Sequence, residues 1–313
     1  MPDVATTLSS LPRAAILQAA ESDRLQRLVQ RHGRRVGAAR FVAGETLDQC
    51  VAVLRTLNEA GLHANTTLLG EAVPDPEGAA AVTDEYEKVI ERLVAEGLEA
   101  NVSLKLTHLG LSFDEEAAFA NVARLVARAE ELGTFLRIDM EQSEVVDATL
   151  HIYERLRDAG HVGVGTVLQS YLYRTPNDLE RLLPRAPNLR IVKGAYLEPE
   201  TIAYPRKEDV DRAYLELVQR GLRDGAYIAV ATHDEAIIRE VQRFAEREKI
   251  SRDRFEFQML YGVRSGLQRS VAGEGYKVLV ATPYGPDWYP YLMRRLAERP
   301  ANIGFFLKNL VRR

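Results

Sequence analysis

Cysteine is almost absent: Cys50 is the only one in the chain, so no internal disulfide can form. Its neighbours Val51, Val53 and Leu54 mark it as helix packing rather than as a nucleophile, and a cytoplasmic compartment is the expectation. Uninterrupted apolar runs of about 18 residues are missing too, which argues against a spanning helix. The N-terminal stretch has no apolar core of a secretory signal. Neither sign of charge dominates, because 41 Lys and Arg stand against 45 Asp and Glu. A basic surface for nucleic acid is therefore not expected. The six histidines are scattered and supply no evident ligand cluster, so no metal is expected. No GxGxxG turn is present to open a dinucleotide-binding βαβ unit.

What remains is an alternation of short apolar runs and longer amphipathic ones. Strands are predicted at His63–Leu69, Asn101–Leu106, Phe135–Met140, Gly165–Ser170, Leu189–Lys193, Tyr227–Thr232, Phe255–Leu260 and Lys277–Thr282. They are rich in Val, Ile, Leu and Thr, as strands covered on both faces should be. Between them Val82, Tyr86, Val89, Ile90, Leu93 and Val94 follow the spacing of one buried helix face. Asp114 is placed to cap the next helix, with Phe119, Val122 and Val126 inward and Gly133 at its end. Val146, Leu150 and Tyr153 repeat the pattern up to Gly160. Parallel strands joined by helices need right-handed crossovers, and eight such units close into a (β/α)₈ barrel. An open doubly wound sheet is the competitor. Residues 1–45 read as an N-terminal helical arm (Ala14–Val29, then Arg31–Arg40), followed by a helix over Glu45–Glu59 and a barrel domain over 46–313.

Barrel enzymes work at the C-terminal ends of their strands, and those ends are polar here. The second carries Lys105, Thr107 and His108; the third Asp139 and Glu141; the fourth Gln169 and Tyr171. The fifth carries Arg190, Lys193 and Tyr196, the sixth Thr232, His233 and Asp234, and the seventh Gln258 and Leu260. Unpaired charges on buried strands are costly, so the set points to an active-site rim, with an interior network of ion pairs as the bland alternative. After the last strand Trp288–Glu298 reads as a helix on which Tyr291, Arg294, Arg295 and Glu298 share one face. That face is either solvated, or turned over the barrel mouth with two guanidinium groups holding a carboxylate.

These residues carry a resemblance. Tyr291–Glu298 is similar to the YxxRRxxE helix of the proline dehydrogenase (proline oxidase) family, and Arg190-Ile191-Val192-Lys193-Gly194-Ala195-Tyr196 resembles its R-[LI]-V-K-G-A-Y strand. Leu104-Lys105-Leu106, Arg137-Ile138-Asp139-Met140-Glu141, Leu168-Gln169-Ser170-Tyr171, Ala231-Thr232-His233-Asp234 and Glu256-Phe257-Gln258-Met259-Leu260 fall in the family's order. The resemblance implies oxidation of L-proline to Δ¹-pyrroline-5-carboxylate by hydride transfer to N5 of a bound FAD, with a quinone as electron acceptor. It implies that Lys105, Arg294 and Arg295 bind the proline carboxylate, that Tyr196, Leu260 and Tyr291 wall the ring, and that Glu298 orients the arginines. Arg190 and Gln169 would lie against the flavin ring. Met140, Lys193, Gly194, Ala195, Thr232 and His233 would complete the FAD site, with Asp139 as an ordering or proton-handling carboxylate. Ala281 departs from members that carry tyrosine there. A separate pyrroline-5-carboxylate (glutamate semialdehyde) dehydrogenase would take the product onward.

A Schiff-base aldolase with Lys105 or Lys193 as nucleophile is the rival reading; it leaves Arg190, Arg294 and Arg295 without a task. Beyond Pro300 the run Ile303, Phe305, Phe306, Leu307, Leu310 and Val311 with Lys308, Arg312 and Arg313 is open to two readings. It is a terminal helix packed on the barrel, or a peripheral contact with the anionic inner face of the cell membrane.

Overall fold

The computed structural model describes residues 40–70 and 72–298; the expected arm, except for its last residues, and the tail beyond Pro300 lie outside the described residues. Helix α1 (Leu47–Glu59) leads into β1 (His63–Leu68), α2 (Pro76–Ala95), β2 (Ala100–Leu104), α3 (Glu115–Glu131) and β3 (Leu136–Ile138). Then follow α4 (Val146–Asp158), β4 (Val164–Gln169), α5 (Thr175–Leu182), β5 (Asn188–Val192), α6 (Lys207–Arg223) and β6 (Tyr227–Ala231). The series ends with α7 (Glu235–Arg247), β7 (Phe255–Leu260), α8 (Ser265–Gly273), β8 (Val278–Tyr284) and α9 (Trp288–Glu298). The strands form a closed barrel in chain order, as the alternation predicts. Among the described residues no helix is long and apolar enough to cross a membrane.

By compactness the chain divides into two units. One comprises Leu54–Thr67 and Glu71–Ala281; the other comprises Leu68–Gly70 with the chain up to Val53 and from Thr282. In the second unit Leu69 N–H donates to Tyr284 O at 2.7 Å. There too the Trp288 indole donates to Glu45 Oε1 at 3.0 Å.

Local chemistry accounts for the element ends. The Asp75 carboxylate accepts from Gly78 N–H at 2.8 Å, with Pro76 in the first turn of α2, a combination that satisfies an orphan donor and presets φ. Asp114 does the same for α3, accepting from Glu116 and Ala117. Cys50 is fully buried packing. The buried face of α2 differs from the predicted one: Val94 is exposed and Val82 half-buried, while Ala79 and Thr83 are buried with Tyr86, Val89, Ile90 and Leu93. Thr83 is tolerated there because its hydroxyl donates to Ala79 O at 2.7 Å.

Register decides what fills the barrel. Arg137 lies level with Ser103 and Gly165. Arg190 is level with Val167 and Ala229, and Ala229 with Glu256. Side chains alternate across a strand, so these residues share one face. Arg190 on β5 bonds Asn65 on β1 and Ser103 on β2, contacts that only the interior allows. The opposite face carries Leu104, Ile138, Ile191, Val230 and Phe257, all buried, and this apolar layer faces the helices.

The lower interior is a charged network. Arg137 is fully buried and donates to Asn188 Oδ1 at 2.7 Å and Thr166 O at 3.0 Å. Burial and the like charge of Arg190 pull its pKa down to about 10, which leaves it a cation at neutral pH. Glu256 accepts from Lys277 at 3.0 Å, Tyr227 at 3.0 Å and Gln258 at 2.5 Å. Burial alone would raise its carboxyl, but the charges of Lys277 and Arg137 outweigh that and hold it below the usual range. Gly165 makes room for Arg137: a Cβ there would stand 2.6 Å from Asn188 O and 2.7 Å from the Phe135 ring.

Candidate active site

At the C-terminal strand ends the polar residues converge within the larger unit. Lys105 and Asp139 each follow the last residue of their strand, Gln169 ends β4, and Arg190 sits in β5. Arg190 is buried and donates from Nη1 to Asp139 Oδ1 at 2.9 Å. Asp139 N–H donates to Leu104 O at 2.8 Å, which ties the end of β3 to that of β2 beside Lys105.

Glu141 binds three of these loops together. Its buried carboxylate accepts from Thr107 Oγ1 at 2.6 Å and Thr107 N at 3.2 Å, while Gln169 Nε2 donates to its backbone carbonyl at 2.9 Å. Burial raises its pKa although the Thr107 hydroxyl and Lys105 favour the ionised form. On the same turn His108 is buried edge-on to Tyr86, with ring centroids 6.2 Å apart. Burial and then the charge of Lys105 lower its pKa to about 4.

A second group lies at β6 and β7. Thr232 Oγ1 accepts from Asp234 N–H at 3.0 Å, and Asp234 caps α7. His233 Nε2 accepts from Leu260 N–H at 2.8 Å, which requires a ring unprotonated at that nitrogen. Arg264 donates to His233 O at 3.0 Å, so both ends of this residue are held.

The loop after β5 forms a third group. Lys193 pairs with Asp211 at 2.5 Å and lies 3.7 Å from Asp234. Gly194 has φ +117° and lies against the Tyr171 ring, a place where a side chain would be both strained and blocked. Ala195 and Tyr196 are half-buried, and Met140 is buried at the end of β3. Tyr291 is half-buried on α9 and Ala281 half-buried in β8. Arg294, Arg295 and Glu298 fall on α9, in the other unit.

The structure thus brings Lys105, Asp139, Gln169 and Arg190 together, and separately joins Thr232, His233 and Leu260. Sequence reasoning gave no part to Asn65 or Ser103, and named Glu141 on the rim without a role; all three are buried. For β2 the signal was present: Asn101, Ser103 and, just past the strand, Lys105 alternate with Val102 and Leu104, a polar stripe on the interior parity.

Comparison with known proteins adds the following. The family model described as proline dehydrogenase matches residues 50–308. A proline dehydrogenase of Deinococcus radiodurans is 43% identical over 309 residues, spanning 97% of this chain and 99% of that one. Proline dehydrogenase 2 of Bacillus subtilis is 40% identical over 303 residues, spanning 97% and 100%. Among solved structures, proline utilization A from Bdellovibrio bacteriovorus, inactivated by N-propargylglycine, superposes with a TM-score of 0.78 at 24% identity. This chain spans 32% of that protein's length, and the likeness concerns the fold.

Proposed function

Since the chain belongs to the proline dehydrogenase family, we propose that it oxidises L-proline to Δ¹-pyrroline-5-carboxylate with bound FAD, the electrons passing on to a quinone. The observation that carries this reading is the pairing of buried Arg190 with half-buried Asp139 at 2.9 Å among the C-terminal strand ends, with Lys105 one strand away from Asp139. The donor set suits a flavin. Arg190 Nε and Gln258 Oε1 are buried without a hydrogen-bond partner, so the interior holds one spare donor on a cation and one spare acceptor. A planar, electron-accepting ring that gains negative charge on reduction matches a fixed guanidinium.

The proposed holders of FAD are Arg190, Gln169, Met140, Lys193, Gly194, Ala195, Thr232 and His233. Bound FAD would supply an acceptor for the hydride that leaves C5 of proline. Arg190 would set its charge against that acceptor. Asp139 orders Arg190 and offers a carboxylate to the proton that the substrate amine gives up. Lys105 would attract the substrate carboxylate, and the Glu141–Thr107 bonds fix the turn beside it. For Tyr291, Arg294, Arg295 and Glu298 the assignment to substrate rests on the YxxRRxxE motif; for Tyr196 and Leu260 it rests on the resemblance of their strands. Oriented binding is the main device, since no covalent intermediate with the protein is needed.

The test is a spectrum of the purified protein. Flavin bands that bleach on anaerobic addition of L-proline are expected. A protein that holds no flavin and cannot be reconstituted with FAD would end the assignment.

A further inference from the structure

Barrel interiors are ordinarily filled by layers of bulky apolar side chains, yet β1 and β2 turn Asn65, Asn101 and Ser103 inward. Asn65 and Ser103 are fully buried. Burying such groups unpaired costs about 1–3 kcal/mol each, and here each is satisfied in one connected row. Asn65 Nδ2 donates to Asn101 Oδ1 at 2.5 Å. Ser103 Oγ donates to Asn65 Oδ1 at 2.9 Å. Arg190 Nη2 then donates to Ser103 Oγ at 2.9 Å and to Asn65 Oδ1 at 3.3 Å.

We propose that Asn65 and Ser103 are positioning residues that clamp the Arg190 guanidinium through neutral oxygens, keeping its Nε edge and its positive charge available to the electron acceptor. The inference rests on the FAD reading above. Three features carry it. Nη1 is taken by Asp139 and Nη2 by the Asn65–Ser103 row, so both terminal nitrogens are fixed while Nε has no partner. The plane of the guanidinium is therefore set by the barrel and not by the ligand. Arg137, two strands away on β3, carries a like charge that interacts with Arg190, and the tether opposes that repulsion. Finally, the tether is uncharged. Asp139 already supplies one anion, and a second carboxylate would turn the local charge negative, whereas amide and hydroxyl oxygens hold the guanidinium without adding charge.

The test uses the flavin-loaded protein with sulfite as probe, because sulfite adds to oxidised flavin more tightly when a positive charge faces the ring. Asn65→Asp is nearly isosteric and puts a carboxylate beside Arg190. The sulfite dissociation constant should rise tenfold or more, the flavin reduction potential should shift negative, and the rate of anaerobic reduction by proline should fall with KM near that of the wild type. Ser103→Ala should move the same quantities severalfold, and Ser103→Thr should restore them. If Ser103→Ala loses its flavin, Asn65→Asp and Ser103→Thr still carry the test. A structural role alone would lower stability and flavin content and leave sulfite affinity and potential unchanged in the flavin retained; that result overturns the inference. A wild-type protein that takes up no FAD overturns the functional reading instead, and is told apart by its colour before any variant is made.

Discussion

His108 makes the stability of this barrel depend on pH in a calculable way. Its ring is buried beside Lys105 and has a pKa near 4 against the ordinary 6.5. Above pH 6.5 neither folded nor unfolded chain protonates it, and it contributes nothing to the balance. Between 6.5 and 4 the unfolded chain binds a proton that the folded chain refuses, so stability falls as pH falls. The loss is about 2 kcal/mol at pH 5 and levels off at about 3 kcal/mol below pH 4, from 1.36 kcal/mol per pKa unit. Replacing His108 with Gln removes the titration, whatever it does to packing against Tyr86. Urea unfolding of both proteins at pH 7 and pH 5 measures the difference, since other groups titrate alike in each. The wild type should lose about 2 kcal/mol more than His108→Gln between those two pH values. Equal losses in the two proteins would refute the burial argument and show that the ring reaches solvent.

Other perturbations follow from the same contacts. Gly165→Ala drives a methyl into the backbone oxygen of Asn188 and into Phe135, so a loss of about 1–3 kcal/mol or more is expected in denaturant titrations; unchanged stability would mean that Arg137 has room to move. Gly194→Ala meets both a φ of +117° and the Tyr171 ring, and should lower flavin content on purification while the far-ultraviolet circular dichroism stays that of a barrel. Arg294→Met and Arg295→Met should each raise KM for proline roughly ten- to a hundredfold with FAD content unchanged, as charge-assisted bonds of about 1.5–3 kcal/mol predict. Lysine at either position should rescue little, and normal proline kinetics in both Met variants would return that helix face to solvent.

The barrel was legible because its signal is local and repeated. Each strand is a short apolar run, and each helix shows its own period and caps, as at Asp114 and Gly133. Strand ends drifted by one or two residues where backbone pairing stops before the apolar run does: β3 is Leu136–Ile138, shorter than the predicted Phe135–Met140. The α2 face was misjudged at Val94 because hydrophobicity was weighed above angle: Thr83 falls on the inward side and satisfies its hydroxyl locally. Lys105, Asp139, Gln169 and Arg190 were named from position at strand ends together with the family motifs, and the barrel places them at or beside those ends. Asn65 and Ser103 were not, because Thr66 and Thr67 blur the pattern of β1 and the bonding partners of both residues lie on other strands 36 to 125 residues away in sequence; Glu141 was named only by its place, since its bonds to Thr107 and Gln169 have no local sign.

The polar interior and the proposed chemistry explain one another. A barrel selected only for stability would fill the level of Arg190 with branched apolar residues, since a buried ion pair is at best even with a hydrophobic replacement. Here an upper group joins Arg190, Ser103 and Asn65 by hydrogen bonds, and a lower group holds Arg137 with the neutral Asn188 and the anionic Glu256. In the lower group the charges are matched: Glu256 by Lys277, Tyr227 and Gln258, and Arg137 by carbonyl and amide oxygens. The upper group does not close, because Arg190 keeps Nε without a partner. The open donor belongs to the same guanidinium that pairs with Asp139, and Asp139 N–H bonds the end of β2 beside Lys105. That opening sets the upper group apart from the lower one: Asp139 already balances the charge of Arg190, and what the guanidinium still offers to a bound group is the N–H donor at Nε.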